Sequence, residues 1–163
     1  MSDHAGMRGR LTHVRADGSA HMVDVSAKQI TARSASAAGR VLLSPQAIEA
    51  LREGTVTKGD ALAVARIAGI QAVKRTPDLI PLAHPIAVHA VEVDLQVSDD
   101  AVEIAVTVRT ADRTGIEMEA LTAVSVAALT VIDMVKAIDK HGRITDIRVT
   151  AKSGGRSGDW TEN

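Results

Sequence analysis

The sequence predicts an α+β domain in the split βαβ order strand, helix, strand, strand, helix, strand. Such a domain is a four-stranded antiparallel sheet with helices on one face. Three observations carry this. Residues 88–97 and 102–109 alternate apolar and polar side chains around Asp99-Asp100, which reads as a hairpin covered on one side. Before it, Ala61, Leu62, Ala65, Ile67, Ala68, Ala72 and Val73 recur at helical spacing. After it, residues 115–140 form the longest unbroken helical pattern of the chain.

Taken in order, residues 1–10 are polar and read as a mobile tail. Asp17-Gly18 marks a turn. His21 to Ser26 alternates partly, as an edge strand or an ordered arm, and the Ala/Ser-rich residues 27–39 are ambiguous. Val41-Leu42-Leu43 ends a strand that begins in the thirties. Ser44-Pro45 starts a short helix, Ser as N-cap and Pro in the first turn, which stops at Gly54. The next helix is expected from about Thr57 to Thr76, before Pro77. Pro77, Pro81 and Pro85 then fix an extended loop ahead of the hairpin. His141-Gly142 stops the long helix, and a last strand runs from Ile144 to Ala151. No linker divides the chain, so residues 1–163 are expected to form one domain, with 157–163 as a second tail.

Composition narrows the function classes. The net charge of -1 gives no general field for nucleic acid. The chain has no Phe or Tyr and one Trp, so the core must be aliphatic and base-stacking surfaces are absent. With no Cys there are no disulfides, thiolate ligands or cysteine nucleophiles, which is compatible with a cytoplasmic location. Residues 1–10 lack the apolar segment of a signal peptide, and the apolar run 120–135 is short for a membrane span. No membrane partner is expected.

Charged residues mark candidate chemistry at both ends of the long helix. Glu117, Met118 and Glu119 open it; Asp133 and Lys136 sit near its close, one turn apart among apolar neighbours. The plain reading of the pair is a surface ion pair, worth little. The functional one is a site within an apolar helix end. Glu119 and Asp133 lie roughly 21 Å apart along the axis. One compact site using both ends therefore needs two antiparallel copies of the helix. Ala120, Ala123, Ala127 and Ala128 would permit such close contact, or simply pack on the sheet. Lys58, expected at a helix N-terminus, is electrostatically out of place there. It is either a solvated lysine held by Asp60 or part of an anion or proton-transfer site. Arg66, Lys74 and Arg75 continue a basic row that either faces water or holds phosphates. His84, set before Pro85, is structural or transfers a proton. His21, His84 and His89 match no zinc spacing, so no metal site is expected. Residues 152–158 have the composition of a phosphate loop without P-loop spacing.

Several stretches share an order and spacing with one family: Leu11-Thr12-His13, His21-Met22-Val23-Asp24-Val25-Ser26, Lys58-Gly59-Asp60, Ala65 to Gln71, and Lys74-Arg75-Thr76. Asp78 to Leu82 with His84-Pro85, Thr114-Gly115, Glu117 to Thr122, and Ala151 to Gly155 complete the set. From about Leu11 to Gly158 the chain resembles the MoaC family, the cyclic pyranopterin monophosphate synthases of molybdenum cofactor biosynthesis. The resemblance implies a ferredoxin-like fold and a homohexamer, a trimer of dimers, with active sites at the dimer interface. It implies a phosphorus–oxygen lyase that converts (8S)-3′,8-cyclo-7,8-dihydroguanosine 5′-triphosphate to cyclic pyranopterin monophosphate and diphosphate. No cofactor is implied as required; Mg2+ accompanying the triphosphate stays open.

Carried over by position, the implied catalytic group is Lys58, His84, Glu119, Asp133 and Lys136. Leu82, Ala83, His84, Met118 and Glu119 are implied substrate contacts, with Arg66, Lys74, Arg75 and Lys152 suited to the triphosphate. Two positions depart from the family's habit: Ala83 stands where a Cys is frequent, and Pro77 where a bulkier residue is frequent. Two other classes share this fold: a small-molecule-binding regulatory domain, which needs no acid/base groups, and an RNA-binding module, which the missing aromatics and neutral charge disfavour.

Overall fold

The computed structural model describes residues 13–163; the expected tail 1–10, with Leu11 and Thr12, lies outside them. The sheet runs in the order β2-β3-β1-β4-β5, antiparallel throughout. Its strands are β1 (Thr31–Leu42), β2 (Ala90–Val97), β3 (Ala101–Asp112), β4 (Arg143–Ser153) and β5 (Trp160–Thr161). The first four strands and their helices reproduce the split βαβ pattern. The expected count of four is corrected to five: Trp160 and Thr161 pair with Lys152 and Ala151. Two residues at an edge leave no periodicity for sequence reading to find.

The central strand is the Ala/Ser-rich one. Ala35, Ala37 and Val41 alternate toward the helices and are buried, with Gly39 between them. Its opposite face is polar: Ser36 bonds Thr107 and Arg40 bonds Glu103 across to β3. Small side chains suit the place because α4 (Glu117–Val135) lies directly on β1. A Cβ on Gly39 would stand 2.7 Å from a methyl of Val124. Val102, Ile104, Val106 and Val108 of β3 meet Val124, Val131 and Val135 of α4 in an aliphatic core. By length and composition α4 is apolar enough to span a bilayer, but 56% of its most apolar window is buried in this core.

Helix α1 (Pro45–Glu53) starts as expected, with the Ser44 hydroxyl accepting from the Ala47 N–H, and ends at Gly54. Helix α2 (Ala61–Val73) starts later than Thr57, because Asp60 is its N-cap and accepts from the Ala63 N–H at 3.0 Å. Lys58 thus sits in the preceding turn. A single extra turn, α3 (Thr76–Leu79), is launched by Pro77. Helix α4 ends at Val135 rather than Lys140. Beyond it the buried Asp139 carboxylate accepts from the Ser44 and His141 backbone N–H groups at 2.7 and 2.8 Å. That carboxylate ties the end of α4 to the start of α1.

Gly69 in α2 rests on Ala123 and Ala127 of α4, while Lys58, just before α2, reaches Asp133 near the far end of α4. The two helices therefore run antiparallel on one face of the sheet. Residues 21–28 belong to no strand; they are the arm of the two readings, not the edge strand.

Candidate functional site

The long helix brings charged groups to two separate places. At its N-terminal end, a cleft of about 330 Å3 opens between α4, the loop 82–84, the arm 21–28 and the end of β4. Leu82, Ala83, His84, Met118, Glu119 and Lys152, all expected at the site, line it together.

Glu119 is 3% exposed on the first turn of α4. Burial pushes its carboxyl up to about 7, against a lowering by its own backbone N–H and with a minor further push from the neighbouring Glu117. The group is therefore poised between acid and carboxylate near neutral pH, as proton transfer requires. Glu117 is occupied differently: its carboxylate accepts from Lys152 Nζ at 3.1 Å. Lys152 also donates to the Ser157 hydroxyl. His84 is held from behind, its Nε2 donating to the Val23 carbonyl at 2.6 Å.

Two cleft cations escaped sequence reasoning. Lys28 and Arg33 line the cleft with Glu119, and both also line a neighbouring cavity with Gly155 and Arg156. Arg33 donates from Nε to the Asp112 carbonyl at 3.0 Å. Its guanidinium passes against Gly155, where an added Cβ would lie 2.3 Å from Nη1. Gly154 and Gly155 both have φ +82, in the left-handed region. The only sequence signal was the basic, glycine-rich composition of 152–158. Lys28 and Arg33 stand in the stretch 27–39 that carried no clear pattern.

At the other end of α4, Lys58, Asp133 and Lys136 meet. Lys136 Nζ lies 2.7 Å from one Asp133 carboxylate oxygen and Lys58 Nζ 3.1 Å from the other. Lys58 also donates to the Asp133 carbonyl at 2.7 Å. The Lys136 and then the Lys58 ammonium hold the Asp133 carboxyl below its usual range. All three side chains are partly exposed, and Leu129 and Ile138 beside them are exposed apolar groups.

Arg66, Lys74 and Arg75 lie in neither place. Arg66 donates to the Val93 carbonyl at 3.0 Å, and Arg75 pairs with Asp78 at 3.4 Å. Lys74 caps α2 at the end nearer the cleft but does not line it.

The profile of the MoaC family matches residues 22–155. The chain is 67% identical over 154 residues to the cyclic pyranopterin monophosphate synthase of Streptomyces coelicolor, covering 94% of this chain and 91% of that one. It is 69% identical over 153 residues to the enzyme of that name from Streptomyces griseus, covering 94% and 86%. It is 55% identical over 161 residues to cyclic pyranopterin monophosphate synthase 3 of Mycobacterium tuberculosis, covering 98% and 89%.

Proposed function

The chain belongs to the MoaC family, and from that premise we propose how its residues perform the family's reaction. It is a cyclic pyranopterin monophosphate synthase of molybdenum cofactor biosynthesis. The reaction converts (8S)-3′,8-cyclo-7,8-dihydroguanosine 5′-triphosphate to cyclic pyranopterin monophosphate, with diphosphate released.

Opening the cyclised purine and rebuilding it as a pterin takes several proton transfers, which suits carboxyl, imidazole and ammonium groups with tuned acidity. Glu119 and His84 serve them in the cleft. Lys58 and Lys136 exchange protons with the substrate, and Asp133 holds both ammonium groups in place. Closing the cyclic phosphate needs a ribose hydroxyl to attack the α-phosphorus while diphosphate leaves, and fixed positive charge stabilises that departure. Lys28, Arg33 and Lys152 supply that charge from the cleft wall. Mg2+ travelling with the triphosphate would add to it.

The observation that carries this reading is the convergence of Lys58 and Lys136 on one carboxylate, from positions 75 residues apart in the case of Lys58 and Asp133. That cluster and the cleft are roughly 21 Å apart along α4. We therefore assign each complete site to two chains, the cleft of one facing the Lys58–Asp133–Lys136 cluster of the other, within the expected trimer of dimers. The exposed apolar residues Met118 and Leu129 on α4, with Ile138 just beyond its end, favour such pairing. Arg66 on α2, and Lys74 and Arg75 just beyond its end, would then approach a triphosphate from the second chain. A cytoplasmic location accords with a substrate derived from GTP.

The test is incubation of K58A and D133A with the cyclised GTP substrate, assaying pterin product and diphosphate. Both are expected to lose turnover while assembly persists; near-normal turnover in either removes the assignment. Mixing E119Q with K58A chains examines the shared site. Random pairing should restore about a quarter of the sites, because one site of each mixed dimer is then intact. No recovery on mixing overturns the two-chain assignment.

A further inference from the structure

The arm 21–28 runs beside two neighbouring cavities. Val23, Val25 and His84 border both the catalytic cleft and a second cavity of about 560 Å3. Met22, Asp24 and Ser26 add to the wall of the second, with Pro85, Ile86, Asp112 and Arg113. Among the described residues the arm has no ladder partner. Its hydrogen bonds include the His21 N–H to the His13 carbonyl, the His13 ring to the His21 carbonyl, local turns at Asp24–Ser26 and Val25–Lys28, and Arg113 Nε to the Lys28 carbonyl at 2.9 Å.

One further contact is the informative one. His84 Nε2 lies 2.6 Å from the Val23 carbonyl oxygen. A carbonyl oxygen only accepts, so Nε2 must carry the hydrogen. In the neutral ring, Nδ1 then holds the lone pair. Among the described residues no hydrogen bond engages Nδ1. The rigid His84-Pro85 step and the arm together fix the ring.

We propose that the Val23 main-chain carbonyl is a positioning element that locks His84 as the Nε2–H tautomer and so makes Nδ1 its proton-transferring atom. This rests on the reading of His84 as a group of the reaction. The arm thereby acts on the chemistry through His84, not by touching the reacting atoms.

The test uses the full chain labelled with 15N-histidine, its His84 ring assigned by the signals lost in H84Q. The expected spectrum has a pyrrole-type Nε2 whose proton exchanges slowly with solvent, and a pyridine-type Nδ1. In V23G/V25G, which removes the side chains seating the arm, that proton should exchange at least about tenfold faster and turnover should fall. H84Q keeps a donor for Val23 but offers no base at Nδ1. It should lose about 10²- to 10⁴-fold in turnover. A proton on Nδ1, or an Nε2 proton exchanging as in free imidazole, overturns the proposal. So does normal turnover in H84Q, which leaves the family activity untouched. A locked ring in a wild-type chain that makes no pterin supports the arm contact and sinks the parent reading alone.

Discussion

Glu119→Gln isolates the cost of burying a carboxyl at the head of α4. Burial moves the group from its ordinary 4.5 up to about 7 in the folded chain. The folded state then binds this proton more tightly than the unfolded state does. The sign follows: stability is full below about 4.5, falls as pH rises toward 7, and stays low above it. At 1.36 kcal/mol per pKa unit, the rise is worth about 3 kcal/mol at most. Gln is neutral at every pH and keeps the shape. Urea unfolding of both proteins, followed by far-UV circular dichroism at one protein concentration, measures the difference. The two should be nearly equal in stability at pH 4. At pH 8 the variant should be more stable by about 2–3 kcal/mol, because only the wild type then carries a buried charge. Other titrating groups cancel in the comparison. A gap that is the same at both pH values would refute the claim that Glu119 is protonated by its surroundings.

Three further outcomes follow from the packing. Asp139→Asn keeps one acceptor oxygen for two partly buried N–H groups, so it should cost about 1 kcal/mol in urea unfolding. Because those N–H groups hold the Asp139 carboxyl below 3.8, its contribution is present above that pH and lost on further acidification. Gly39→Ala places a Cβ against Val124 and Ile147, and thermal unfolding should show a loss of about 1–3 kcal/mol from overpacking. Gly155→Ala strains a left-handed residue and displaces the Arg33 guanidinium. Losing one charged contact should raise KM for the triphosphate substrate roughly tenfold or more, with a smaller change in kcat.

The hairpin of β2 and β3 was legible because β-branched side chains alternate with charged ones along it. The central strand was not, and the reason is physical. Its inward positions are Ala35, Ala37 and Gly39, chosen small to admit α4, so the hydrophobic contrast that marks a strand is missing. The same ambiguity hid Arg33. The start of α2 was misplaced because Thr57 and Asp60 both offer an N-cap, and only the Asp60 hydrogen bond decides between them. Distance along α4 correctly separated Glu119 from Asp133. What it could not supply was the company each keeps: Lys58 arrives through the antiparallel packing of α2, and the arm reaches His84 across 61 positions of sequence.

The fifth strand has an optical consequence. Trp160 is the only tryptophan, there is no tyrosine, and it is 43% exposed beside Lys152 on the sheet edge. Intrinsic fluorescence of this protein therefore reports on one strand pair and is blind to the aliphatic core. An emission change on heating would record fraying of the β4–β5 edge, whereas quenching on titration with a polyphosphate would signal events at the Lys152 ammonium. Nature has in effect placed a single lamp at the rim of the cleft.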